Sequence, residues 1–307
     1  MHWLAIAGVA YLLIALEVIL DKFLLSSRRV SHPAIYAFYS GVLSLFAFIF
    51  FPFGFHWIPS GRIAVSLLAG MIFVYGILSL FFAIRKSEAS RVTPVVGATI
   101  PVVTYFLSIF FLEESLGMAE LSGVAMLILG GIWISLDISK GADRRFFKGF
   151  LPSILAGVLL GSAFTLFKSF YESDKFINVY IWTRFGVMLG ALSLLANPGW
   201  RRLIVGSLFN FKKPSSENKK SGAIFVMTKC LGGVGSILKE YATSIGSVTI
   251  VGALVSLEYV FIFVFGIALS FWLPAVFQEK RGAGNIFQKI SAIAIITVGV
   301  VLVSRYG

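Results

Sequence analysis

Apolar positions in this chain collect in unbroken runs, without the two-residue alternation of a transmembrane β-strand. The runs lie at roughly 2–24, 34–53, 62–84, 92–112, 118–136, 150–171, 178–197, 221–241, 246–272 and 286–304. Each is close to the 20 or so residues that a helix needs to cross about 30 Å of hydrocarbon. Short connectors with recognisable breakers separate them: Ser31-His32-Pro33, Pro59-Ser60-Gly61, Gly141-Ala142-Asp143 and Asn197-Pro198-Gly199. The longest, about 198–220, carries Lys212-Lys213-Pro214-Ser215-Ser216 and reads as a flexible aqueous loop. The pattern predicts an all-α integral membrane protein, a compact bundle of ten transmembrane helices.

Composition narrows the function. Of 307 residues, 58% are hydrophobic and only 13% charged, which leaves no room for a soluble catalytic domain beside ten spans. Cys230 is the sole cysteine, so neither an internal disulfide nor a multi-thiolate metal site can form. His2, His32 and His56 share no metal-ligand spacing, and neither a metal nor a cofactor is expected. The net charge of +12 is explained without nucleic acid by basic loops on one side of a membrane. The first run lacks a basic leader and a cleavage site before Lys22, and reads as a retained span.

Nineteen of the 26 Lys and Arg fall in or beside the odd-numbered connectors, which puts those loops in the cytoplasm and both termini outside. The same tally bears on an internal repeat. Arg91-Val92-Thr93-Pro94-Val95-Val96-Gly97-Ala98 resembles Ser247-Val248-Thr249-Ile250-Val251-Gly252-Ala253, and the fifth and tenth runs end alike around Gly131 and Gly299. Two copies of five spans are predicted, residues 1–140 and 148–307. Five is odd, so the copies must be inverted, and the loop charges invert with them. Inverted repeats offer two near-equivalent packings, one open to each side, with a polar chamber near the midplane between the halves. That favours a secondary transporter working by alternating access over a channel, for which no run shows a polar stripe.

The chain also resembles, over essentially its full length, the EamA-type members of the drug/metabolite transporter superfamily. The likeness is carried by Ala89-Ser90-Arg91-Val92-Thr93-Pro94, Pro101-Val102-Val103-Thr104-Tyr105, Phe111-Leu112-Glu113-Glu114-Ser115-Leu116, Gly123 and Gly130-Gly131, with Glu258-Tyr259 and Glu279 in the second copy. It implies ten spans in two inverted halves that move small metabolites, and no enzyme. Tyr259 stands where the family has proline, and family members are commonly drawn with both termini cytoplasmic, against the loop charges here.

Ionisable groups inside hydrocarbon cost about 2.5–3.5 kcal/mol each on insertion scales, so they are functional candidates by default. Glu17, Lys168, Arg184, Lys229 and Glu258 lie within runs. Helical rise puts Lys229 and Glu258 at one depth, a pair that reads either as a site for a substrate carboxylate or a proton, or as a structural ion pair. Lys168 suits snorkelling at a span end, and Arg184 follows Tyr180 and Trp182 of an interfacial aromatic belt. Glu17, with Asp21 and Lys22, reads as a gate or as a salt bridge at the membrane edge. Tyr105 and Tyr259 hold matching places in the two copies. The cluster Gly232-Gly233-Val234-Gly235 marks close helix packing, since no strand precedes it and no Lys-Ser/Thr follows. The excess of buried cations favours an amino acid or related organic anion as solute, with a proton as a coupling partner and a monomer in the bilayer. A membrane-embedded enzyme or lipid-binding protein using the same charged cavity is the alternative.

Overall fold

The computed structural model describes residues 2–25, 32–86, 89–113, 116–135, 148–209, 216–272 and 283–306; its side chains at 21–25, 89–91, 135, 208–209, 216–226, 229, 270–272, 283–286, 304 and 306 are outside that description. Among the described residues there is no strand. The first five runs become α1 (His2–Leu25), α2 (Pro33–Leu43) continued by a 3₁₀ stretch (Ser44–Phe53), α3 (Ser60–Lys86), α4 (Ala89–Phe111) and α5 (Met118–Ser135). The later ones become α6 (Phe150–Tyr171), α7 (Phe176–Ser193), α9 (Ser216–Ile245), α10 (Val248–Ala253) with α11 (Val255–Trp272), and α12 (Ala283–Tyr306). Among the described residues seven stretches are long and apolar enough to cross a membrane. Met118–Ile134 and Phe287–Val303 are shorter apolar helices, and α9, which carries Lys239 and Glu240, is not in that set.

Two expectations need correction. The aqueous loop at 198–220 contains α8 (Pro198–Phe209). Asn197 Oδ1 accepts from the N–H groups of Gly199 and Trp200, at 2.9 and 3.2 Å, and Pro198 fits the first helical position, so the helix starts where the breakers suggested a turn. The run at 246–272 is interrupted at Leu254. There the Leu257 N–H bonds Leu254 O at 2.9 Å in a tighter turn, and Ser256 Oγ donates to Ala253 O.

The helices form two compact bodies. One comprises Met1–Arg29, Ser115–Arg145 and Lys212–Gly307; the other Val30–Glu114 and Phe146–Phe211. In the first, α1 lies along α9, α5 along α12, and α11 packs on α1 and α5. Its core gathers Tyr11, Leu127, Ile250, Leu254 and Ile296. In the second, α3 packs on both α6 and α7, α4 on α6, and α2 on α3 and α7, around Val74, Leu78, Val187 and Leu194. Lipid offers no hydrophobic force between helices, so close contact relies on small residues. Gly70, Gly186 and Gly190 bring α3 and α7 into backbone contact, and Gly123 and Gly299 do so for α5 and α12.

The start of α2 gives a pH-dependent prediction. His32 Nδ1 accepts the Ala34 N–H at 3.2 Å, which requires an unprotonated nitrogen. Partial burial and then the Arg85 guanidinium lower the His32 pKa from 6.5. The folded state therefore favours the neutral ring, and its capping contribution, at most about 1 kcal/mol, is present above the unfolded-state value and lost as pH falls through the lower folded one. Melting temperature should drop from pH 7 to pH 5 in the native protein, and by less in His32→Asn, which caps without titrating.

Candidate functional site

The first body assembles a polar cluster across α1, α9 and α11. Trp3 meets Gly246, Glu17 meets Gly232, and Ala10, Leu13 and Ile14 meet Gly235, so α1 and α9 run antiparallel. The Glu17 carboxylate lies directly on Gly232, where any side chain would overlap it. Gly232 and Gly235 thus serve close packing, as their clustering suggested, whereas Gly233 faces open space. Lys239 follows Gly232 and Gly235 at helical spacing on α9, which sets it near the level of Ala10 and Tyr11, about 14 Å along α1.

Opposite them stands the interrupted span. A break at Leu254 frees the carbonyl of Val251, which in a continuous helix would accept from residue 255. The Tyr11 hydroxyl, 4% exposed, donates to it at 2.6 Å. Glu258 falls in the first turn of α11, where a helix favours a negative charge, and it is partly exposed. Lys239 and Glu17 both act electrostatically on Glu258, as Glu258 does on Tyr11 and Tyr259. The Tyr259 ring lies against Gly131 of α5, beside Ser256. Removing the Tyr11 hydroxyl leaves a buried carbonyl unsatisfied, so Tyr11→Phe should destabilise the protein by about 1–3 kcal/mol, read as a lower melting temperature.

The second body holds the other candidates. Arg184 is 6% exposed on α7, with its guanidinium carbon 4.5 Å from the Tyr180 ring centre and about 6 Å from Phe73 of α3 and Phe167 of α6. An aromatic cage surrounds the charge. Trp182 donates from Nε1 to His56 O at 3.2 Å and packs on Phe55 and Trp57, which ties the segment after the 3₁₀ stretch to α7. Beside it Asn178, fully buried, donates to Asp174 Oδ2 at 2.7 Å and accepts the His56 N–H at 3.0 Å. Lys168, in the last turn of α6, pairs with Glu172 at 3.6 Å. Tyr105 is partly exposed on α4 beside Phe106. The side chains of Lys229, Asp21 and Lys22 lie outside the described residues. No group of three His, Cys, Asp or Glu suited to a metal occurs among the described residues.

Residues 1–136 match the model of the EamA-like transporter family. An uncharacterized protein of Methanocaldococcus jannaschii is 33% identical over 72 residues, 24% of this chain and 52% of that protein; the chain thus spans about half the length of that relative. A protein of known crystal structure superimposes with a TM-score of 0.68 at 16% identity, covering 99% of this chain and 98% of the other, which establishes a shared fold.

Within the EamA-matching segment, α1 contributes Glu17 and Tyr11 to the cluster, and Gly131 of α5 receives Tyr259. Sequence reasoning brought Glu17, Glu258 and Tyr259 to attention but missed Tyr11, Lys239 and Glu240. Lys239 falls near the end of the run at 221–241, and α9 continues to Ile245 and holds it in the helix. Glu240 is 3% exposed. The spacing Gly232, Gly235, Lys239 was the signal, one helical face pointing the lysine the same way as the packing glycines.

Proposed function

We propose that the whole chain is a secondary transporter of the drug/metabolite transporter type. It moves a small polar solute, an amino acid or related organic anion, by alternating access between inverted repeats at 1–140 and 148–307 in a ten-span topology with both termini outside. The observation that carries this reading is the mirrored pairing of helices. If α1 to α5 correspond to α6, α7, α9, α10–α11 and α12, then α1 on α9 has its counterpart in α6 on α3. Likewise α1 on α11 answers α6 on α4, while α5 pairs with α12 and α2 with α7, each with its own copy. A two-fold relation between repeats generates these pairs, while α3 on α7 and α11 on α5 stand outside the pattern.

The cluster of Glu17, Lys239, Glu258 and Tyr259 is where solute and a coupled proton act. It combines an interrupted span, a helix N-terminus bearing a carboxylate and ionisable groups within the bilayer, the features by which transporters hold polar solutes at mid-membrane. The test is uptake of radiolabelled amino acids and organic acids into proteoliposomes, with and without an imposed pH gradient. Solute accumulation that follows the gradient is the expected result. No flux of any of these solutes under either condition, with correctly folded protein, refutes the proposal.

A further inference from the structure

α8 plays no part in the transport reading. Its 12 residues span about 18 Å, well short of the roughly 30 Å hydrocarbon core. It docks instead on helix ends. Ile204, fully buried, joins a cluster with Ala34 and Ile35 at the start of α2 and Leu194 just after α7. The Trp200 ring lies 6.3 Å from Phe82 in the closing turns of α3, and the Tyr39 and Ser207 hydroxyls are 3.1 Å apart. The helix therefore crosses one edge of the second body, where α2 begins and α3 and α7 end.

Its outward face is distinctive. Arg201 and Arg202 are exposed, Leu203 and Val205 are 41% and 38% exposed, and the helix contains no acid. Arg85 and Lys86, also exposed, close α3 on the same edge. A short helix anchored by one face at the ends of membrane-spanning helices, with arginines and aliphatic side chains on the other, has the pattern of an element lying in the headgroup layer. Aliphatic groups there enter the acyl boundary while the arginine charges attract anionic phosphate groups.

We propose that α8 is an interfacial helix that binds anionic phospholipid headgroups through Arg201 and Arg202. Each basic side chain at an anionic surface is worth about fivefold in affinity, so the pair contributes about thirtyfold. The full chain, purified in uncharged detergent, is titrated with mixed micelles of phosphatidylglycerol and phosphatidylcholine, and the lipid retained is read by native mass spectrometry. The native protein should retain phosphatidylglycerol preferentially. Arg201→Gln/Arg202→Gln should weaken the tightest-bound phosphatidylglycerol by about thirtyfold. Arg201→Lys/Arg202→Lys should stay close to the native protein, and the charge-matched control Lys175→Gln/Arg305→Gln should not change. Equal retention of phosphatidylcholine, unchanged retention in the glutamine variant, an equal loss in the control, or a loss in a folded lysine variant each overturns the proposal. So does full competition by millimolar inorganic phosphate, which would mark a soluble-anion site.

Discussion

Gly186→Ala should strip the preparation of most of its folded protein. A methyl on Gly186 would come within 2.5 Å of the Leu67 carbonyl oxygen and 2.8 Å of Leu67 Cα, and one on Gly70 within 2.5 Å of Thr183 O. These neighbours are backbone atoms of the facing helix and cannot rotate away, so α3 and α7 would have to separate along their whole crossing. Overpacking of a well-filled core costs about 1–3 kcal/mol, and a backbone-to-backbone clash belongs at or above the top of that range. Gly233→Ala supplies the contrast. Nothing lies within 4 Å of that position, and alanine is about 1 kcal/mol better than glycine inside a helix. Thermal melts in detergent should separate the two variants by about 4 kcal/mol in stability. A native-like melt for Gly186→Ala would mean that α3 and α7 do not approach as described. The pair Gly70→Ala/Gly186→Ala should cost less than the sum of its parts, because both methyls relieve their clash by the same separation.

The largest effect on transport is expected at Glu258. Glu258→Gln should lower the initial rate of solute uptake at least about tenfold, since losing an interaction with a charged group costs about 1.5–3 kcal/mol. The same substitution removes a negative charge that acts with Lys239 and should lower the melting temperature. Lys239→Gln/Glu258→Gln tells a working pair from a structural one. Removing both charges should recover part of that stability in either case, because opposite charges leave together. Uptake should remain lost if Glu258 handles solute or proton. Native uptake in the double variant would show the pair to be structural and would move the site elsewhere.

Much of the secondary structure was legible because its cause is local. A run of about 20 apolar residues in lipid can satisfy its backbone only as a helix, so the run at 150–171 coincides with Phe150–Tyr171 and the first run with α1 to within a residue. The break at Leu254 was not legible. No proline marks it, and the carbonyl it frees is satisfied by Tyr11, 240 residues away. α8 was hidden for a related reason, since a 12-residue segment with two arginines has little helix stability until α2 and α7 offer Ile204 a pocket.

The candidate site divides along the same line. Glu17 and Glu258 announced themselves because a carboxylate within an apolar run carries an insertion cost whatever surrounds it. Their neighbours did not, because proximity between α1, α9 and α11 depends on which helices pack together. The two compact bodies each draw helices from both 1–140 and 148–307. The amino-acid sequence alone therefore determined the solvent this chain folds in, the position of most helices and the charges that needed explaining, all set by transfer free energies that act residue by residue. Only the tertiary structure decided that Lys239 comes within electrostatic reach of Glu258, that Tyr11 closes the broken span and that Arg184 sits in an aromatic cage, because those outcomes depend on close approach between helices distant in the chain.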